Sequence, residues 1–277
     1  MNRQLYSTDL TNAEWHALEP CVPAPKGVAR PRRHSIREIL NAIVYMLRSG
    51  CTWRLLPHDL PPWKTVYHYC RLWRVQGLWE RLHAVLHRAL RVQEGRDPHP
   101  SGAIIDSHSV KTSLMGGPRG YDGGKKVNGR KRHVLVDTQG LLIRVLGHPA
   151  DISDRAGATL LLAPLQGQLP RLQHMWAGST YAGKCAEWVH TTLGWALEIV
   201  KHWWTGVRGG WVGPGQAPPT IPSGFHVLPR RWVVERTFAW LLLFRRLSKD
   251  YEELPATSEA LIYLAMSWLM VKRLAHA

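Results

Sequence analysis

Along the first hundred residues, apolar positions recur at helical spacing. Ile39, Ile43, Val44 and Leu47 form one such stripe. Ser35-x-x-Glu38 precedes it as a capping box, and Gly50 supplies a stop. Thr11-x-x-Glu14 is a second capping box, with Leu10 and Trp15 at hydrophobic-staple spacing, and predicts a helix running to Pro20. A Pro-rich basic segment (23–33) follows. After a turn-rich stretch (56–63), Thr65 reads as the cap of a third helix that carries Val66, Tyr69 and Trp73 inward and ends at Gly77. A fourth helix is predicted over 78–92. Residues 94–102 are polar and carry Pro and Gly, the composition of a linker. The chain thus divides into a helical module, 1–95, and a second domain, 96–277.

The pattern then changes from helical periods to short apolar runs. Residues 103–106 read as a buried strand ending in Asp106, and 133–137 with 141–147 as a hairpin turning at Thr138-Gln139-Gly140. Residues 172–177 and 195–200 read as strands, and 154–165, 183–193, 231–247 and 258–274 as helices. Residues 116–132 and 206–224, dense in Gly, read as loops. The order β-β-β-α-β-α-β-α predicts an α/β (α+β) domain with a mixed sheet and helices on its faces.

Charge sharpens this picture. Lys and Arg total 36 against 20 acidic residues, a formal net charge of +16, and 26 of the basic residues are Arg. An excess of this size points to a polyanion, with nucleic acid first and an acidic membrane second. Four dispersed cysteines without a C-x-x-C pair suggest neither a zinc ribbon nor a disulfide scaffold. The longest apolar run, about 260–271, is too short to span a bilayer, and the N-terminus lacks an apolar signal core. The expectation is a cytoplasmic protein.

Four features could carry chemistry. Asp106 ends an apolar strand; it is either an ordinary loop-proximal Asp or a carboxylate that must be hydrated, paired or metal-bound. Glu235 lies four residues after Arg231 on a predicted helix, either as a structural ion pair or as a metal ligand beside a phosphate-gripping arginine. Residues 116–132 hold six basic side chains, Lys125, Lys126, Arg130 and Lys131 among them, which suits either a phosphate backbone or a solvated loop. Arg54, Lys64, His68, Arg71 and Arg74 cluster on and before the third helix. That is the layout of a helix-turn-helix-like reader of the major groove, or the basic surface of a plain bundle. Arg245, Arg246 and Lys249 close the Glu235 helix, and Lys111 follows the Asp106 strand. No zinc spacing appears among the histidines, and no Walker loop or nucleophile elbow is present.

Taken together and in order, these segments resemble the insertion-sequence transposases of the DDE type that carry a short helical N-terminal module. The resemblance rests on Leu10-Thr11-Asn12-Ala13-Glu14-Trp15, on Arg48-Ser49-Gly50-Cys51-Thr52-Trp53-Arg54, and on Ile105-Asp106-Ser107 with Gly129-Arg130-Lys131-Arg132-His133. Most specific is Arg231-Trp232-Val233-Val234-Glu235-Arg236-Thr237-Phe238-Ala239-Trp240, continuing to Arg245-Arg246-Leu247-Ser248-Lys249-Asp250-Tyr251-Glu252. It covers nearly the whole chain. It implies an RNase-H-like core and double-stranded DNA, the element's ends and target, as partner of a homodimer. It also implies three carboxylates holding two Mg²⁺ ions, with Mn²⁺ as an alternative, for DNA cleavage and strand transfer. Asp106 matches the first carboxylate, Glu235 the third, and Arg231 the arginine that precedes it.

The chain departs from the family at three places. Where the second Asp belongs, in a W-A-D-x-x-Y pattern, it reads Trp176-Ala177-Gly178-Ser179-Thr180-Tyr181. Gly178 offers no side-chain ligand, and neither Glu187, Asp151 nor Asp154 is an obvious substitute. Leu242-Leu243 stand where a Gly-Arg pair is usual. The loop over 203–224 is longer than the family's link. The expectation is a transposase impaired in catalysis. The competing readings are a non-catalytic DNA-binding relic or repressor of related elements and, with less support, a general nuclease.

Overall fold

A computed structural model of the chain describes residues 3–23, 33–114, 117–201 and 230–276. Most of the Pro-rich basic segment and the loop expected over 206–224 lie outside them.

Four helices come first: α1 (Asn12–Leu18), α2 (Ile36–Ser49), α3 (Trp63–Val75) and α4 (Leu78–Gln93). Thr11 caps α1 with both halves of the capping box formed. Ser35 accepts from the backbone N–H of Glu38, but the Glu38 side chain turns to Arg3 instead, so this box is half-made. Helix α3 starts two residues earlier than its expected cap, because Pro62 sets the entry and Thr65 falls inside the first turn. Gly50 ends α2 at φ 76°, and a Cβ there would lie 3.0 Å from Arg245 Cβ, so it also permits close packing.

The second half is built on one six-stranded mixed sheet. Its strands are β1 (Gly102–Lys111), β2 (Gly120–Asp122), β3 (Val127–Asp137), β4 (Leu142–Pro149), β5 (His174–Ala177) and β6 (Ala196–Ile199). Strand β1 is flanked on one side by antiparallel β3 and on the other by parallel β5, which pairs with parallel β6. Strands β2 and β4 share the outer edge of β3. An antiparallel meander feeding two parallel crossover strands is the RNase-H-like arrangement that the resemblance implies. Helices α5 (Asp154–Leu162) and α6 (Lys184–Trp188) cover one face, and α7 (Trp232–Leu242) and α8 (Pro255–Ala275) the other.

Three expectations fail here. Strand β1 runs five residues past Asp106. The second half of the expected basic loop is strand: β3 begins at Val127, and residues 129–137 of it are buried. Side chains alternate between faces along a strand. Arg130 and Arg132 therefore point toward the segment after α7, and Lys131 and His133 toward α5. Helix α7 also ends at Leu242 rather than 247, where Phe244 turns extended before a 3-10 turn over Arg245–Leu247.

The helical module does not stand apart. Leu10, Ile43, Trp73, Leu86, Ile104, Val136, Leu241 and Met266 belong to one buried cluster. Arg48 donates to the carbonyl of Leu243 at 2.8 Å, and buried Glu14 pairs with Lys272 on α8 at 3.1 Å.

Candidate active site

Strands β1 and β5 run in parallel, with Ile104 opposite Trp176. Two residues further along each chain come Asp106 and Gly178, level at the carboxyl end of β5. Crevices at the carboxyl ends of parallel strands are where such sheets bind ligands. Helix α7 crosses the same place. Thr237 anchors it by donating to the carbonyl of Gly140 at 2.7 Å, and Phe238 packs its ring 5.3 Å from that of His108. Gly140 takes φ 81°, and a Cβ there would fall 2.9 Å from the Thr237 hydroxyl.

This anchoring brings Arg231, at the start of α7, to the middle of β1, just past the residues that β5 pairs. Its Nη2 lies 3.7 Å from Asp106 Oδ2 and 3.7 Å from Glu235 Oε1. The guanidinium straddles both carboxylates without a close hydrogen bond to either. A Cβ built on Gly178 would lie 3.6 Å from Arg231 Cζ, an ordinary contact. The Gly178 backbone is extended at φ −74°, so nothing local demands glycine. The three positions singled out by the resemblance converge on one arginine. Burial pushes the Asp106 carboxyl up, against the Ser107 N–H bond and the charges of Arg231 and Lys125.

The donor set is incomplete for a pair of hard cations, which need several carboxylate oxygens. Asp106 and Glu235 remain, with a guanidinium between them. No cluster of three His, Cys, Asp or Glu side chains that could hold a metal forms among the described residues.

The basic residues divide sharply. Arg130 is fully buried and donates to the carbonyls of Pro118, Glu252 and Glu253, with Asp250 Oδ2 at 3.2 Å. Lys131 is buried against Asp154 at 3.1 Å and the carbonyl of Ile152 at 2.8 Å. Arg246 is held by Glu252 at 2.7 Å and stacks on Tyr251. These three expected DNA ligands are engaged inside the protein: strand alternation turns Arg130 and Lys131 inward onto carbonyls and Asp154, and Glu252 and Tyr251 hold Arg246. Arg54, Lys64, Arg71, Lys111, Lys125, Lys126 and Arg245 are exposed. On α3, Lys64, Tyr67, His68, Arg71 and Val75 form one exposed stripe, while Val66, Cys70 and Trp73 are buried. Arg54 stacks on Trp63 at 5.6 Å, at the start of that stripe.

The turn between β2 and β3 has a support that charge and spacing do not reveal. Asp122 accepts from the backbone N–H groups of Gly124 and Lys125, each at 3.1 Å. Asp-Gly-Gly-Lys is a turn signature that could have marked it.

Comparison with known proteins defines the class. Residues 97–270 match the family described as Transposase DDE domain, and residues 10–83 match the one described as Putative transposase of IS4/5 family. The chain belongs to the DDE transposases of insertion sequences, enzymes that generally use divalent metal ions and act on DNA. Among curated relatives, it is 35% identical over 107 residues to the Insertion element IS402 uncharacterized 16.2 kDa protein of Burkholderia cepacia. That stretch is 35% of this chain and 69% of the relative. It is also 34% identical over 80 residues to Uncharacterized protein y4sN of Sinorhizobium fredii, covering 28% of this chain and 63% of that one. No solved structure matches. Among the described residues, no helix is long and apolar enough to cross a membrane.

Proposed function

We propose that this chain is a transposase that binds the terminal inverted repeats of its insertion sequence and is impaired in cutting them. The single observation behind this reading is the convergence of Asp106, Gly178 and Glu235 on Arg231, with the second carboxylate missing. The α3 stripe and Arg54, within the helical module 1–95, serve as the DNA-reading face. Lys111, Lys125, Lys126 and Arg245 take backbone phosphates near the site, and a homodimer holds the two ends. Asp106 and Glu235 are the remaining catalytic carboxylates, and Mg²⁺ is the cation that a restored site takes.

The same glycine favours a second reading, in which the chain acts solely as a DNA-binding repressor of related elements. Both readings meet one experiment: Mg²⁺-dependent cleavage of DNA carrying the element's ends, by the natural chain and by Gly178→Asp. A backbone already extended, with room for a Cβ, accepts aspartate. Restoring one ligand of a two-metal centre is expected to raise cleavage at least about 100-fold, or roughly 2.7 kcal/mol of barrier. Equal cleavage by both proteins overturns the assignment of position 178. End-specific binding with cleavage by neither selects the repressor.

A further inference from the structure

Among the described residues, Arg231 is one of two cations whose charge bears on Asp106. The other is Lys125, from the turn between β2 and β3. Its Nζ donates to the carbonyl of Ser107 at 3.0 Å, in the part of β1 beyond the residues that β5 pairs. Several bonds hold it there. Asp122 Oδ1 takes the N–H groups of Gly124 and Lys125, and Asp122 Oδ2 accepts from Ser109 Oγ at 2.6 Å. The turn is thereby pinned against β1. Lys126, next in the chain, sits at φ 54°, a left-handed conformation that side chains seldom adopt and that the surroundings must enforce.

An exposed lysine on a solvated face needs none of this. Here a turn is bolted down, at the expense of a strained neighbour, so that one ammonium reaches back to the residue after the catalytic Asp. That ammonium has three donors and gives one to a neutral carbonyl. Among the described residues, no carboxylate pairs with it; Asp122 and Asp154 are engaged by Lys131 instead. The turn lies on the sheet face that carries Ser109, and Arg231 stands on the other, against α7. Asp106 and Ser107, in the middle of β1, thus lie between two cations presented by separate elements.

We propose that Lys125 holds the scissile phosphodiester at the reaction centre, from the sheet face opposite Arg231, with Asp122 as its positioning residue. This rests on the reading of the site as one that receives DNA ends. It makes Lys125 specific to one phosphate, unlike the other surface cations.

The test is a binding cycle with the full natural chain. One probe is a duplex carrying the terminal inverted repeat and its flank; the other has a neutral methylphosphonate at the junction between them. Lys125→Gln is expected to weaken binding of the ordinary duplex about fivefold to tenfold and to leave the methylphosphonate duplex unchanged. Lys125→Arg restores most of the loss, and Asp122→Asn shows the same selectivity at smaller size. An equal loss on both probes, or none on either while end-specific binding persists, overturns the role of Lys125 alone. Absence of end-specific binding by the natural chain overturns the proposed function and this inference with it. A purely structural role would lower the unfolding temperature of Lys125→Gln, which is expected to stay unchanged.

Discussion

Strand β3 and helix α3 carry runs of basic residues that look alike in composition and meet opposite fates. On β3, Arg130 and Arg132 are drawn into one face of the sheet and Lys131 into the other, and every one of the three is buried. Arg130 and Arg132 tie down the segment after α7 by donating to backbone carbonyls on Leu247, Lys249, Glu252 and Glu253. On α3, a helical period places Lys64, His68 and Arg71 together on the outside. The lesson is that charge density does not tell which basic residues reach the surface; the period of the element beneath them does.

The sharpest way to break this comparison is Arg130→Met. The side chain is fully buried, and its loss strands three carbonyls and Asp250. A destabilisation of about 3–5 kcal/mol is expected, read as a lower urea midpoint or loss of soluble protein. An unfolding free energy within about 1 kcal/mol of the natural chain contradicts the interior role.

On α3 the converse holds. Lys64→Ala and Arg71→Ala are expected to leave the unfolding temperature unchanged. Each should lower the slope of log binding constant against log salt by about 1. An unchanged slope overturns α3 as the proposed DNA-reading face.

A gentler test concerns the interior bases that stay neutral. Burial first, and then His148, pushes His133 down to about 3; burial and His87 do the same to His83. The unfolded chain binds these protons near pH 6.5 and the folded one does not. Stability is therefore full above that value and falls as pH drops toward 3, by about 1.4 kcal/mol per histidine per pH unit. Urea midpoints taken between pH 7.5 and 5 measure the fall. His83→Phe, which keeps a ring against Tyr263, is expected to flatten it. A profile as steep as the natural one removes His83 from the account.

Much of this was legible in the sequence. Caps and periodicity gave α1, α2 and α4, the hairpin at Gly140, and α8 to within a few residues. The Asp106, Arg231 and Glu235 constellation came from motif order, and the structure sets Arg231 3.7 Å from each of the two carboxylates. The strand character of residues 127–132 was hidden because Gly, Asn and Lys are poor strand formers, and the carbonyls after α7 that hold Arg130 and Arg132 lie more than a hundred residues away in sequence. The tether of Lys125 to Ser107 was hidden for a similar reason: it depends on how the sheet curls, which no local pattern encodes.

The docking of Gly50 against Arg245, with Arg48 reaching Leu243, has a consequence for descent. Insertion sequences could diversify by exchanging the helical module between sheet domains, provided the joint is a simple tether. Here the joint is a fitted interface with matching residues on both sides. A helical module transplanted from a distant relative would arrive without its socket, so this joint works against such exchange.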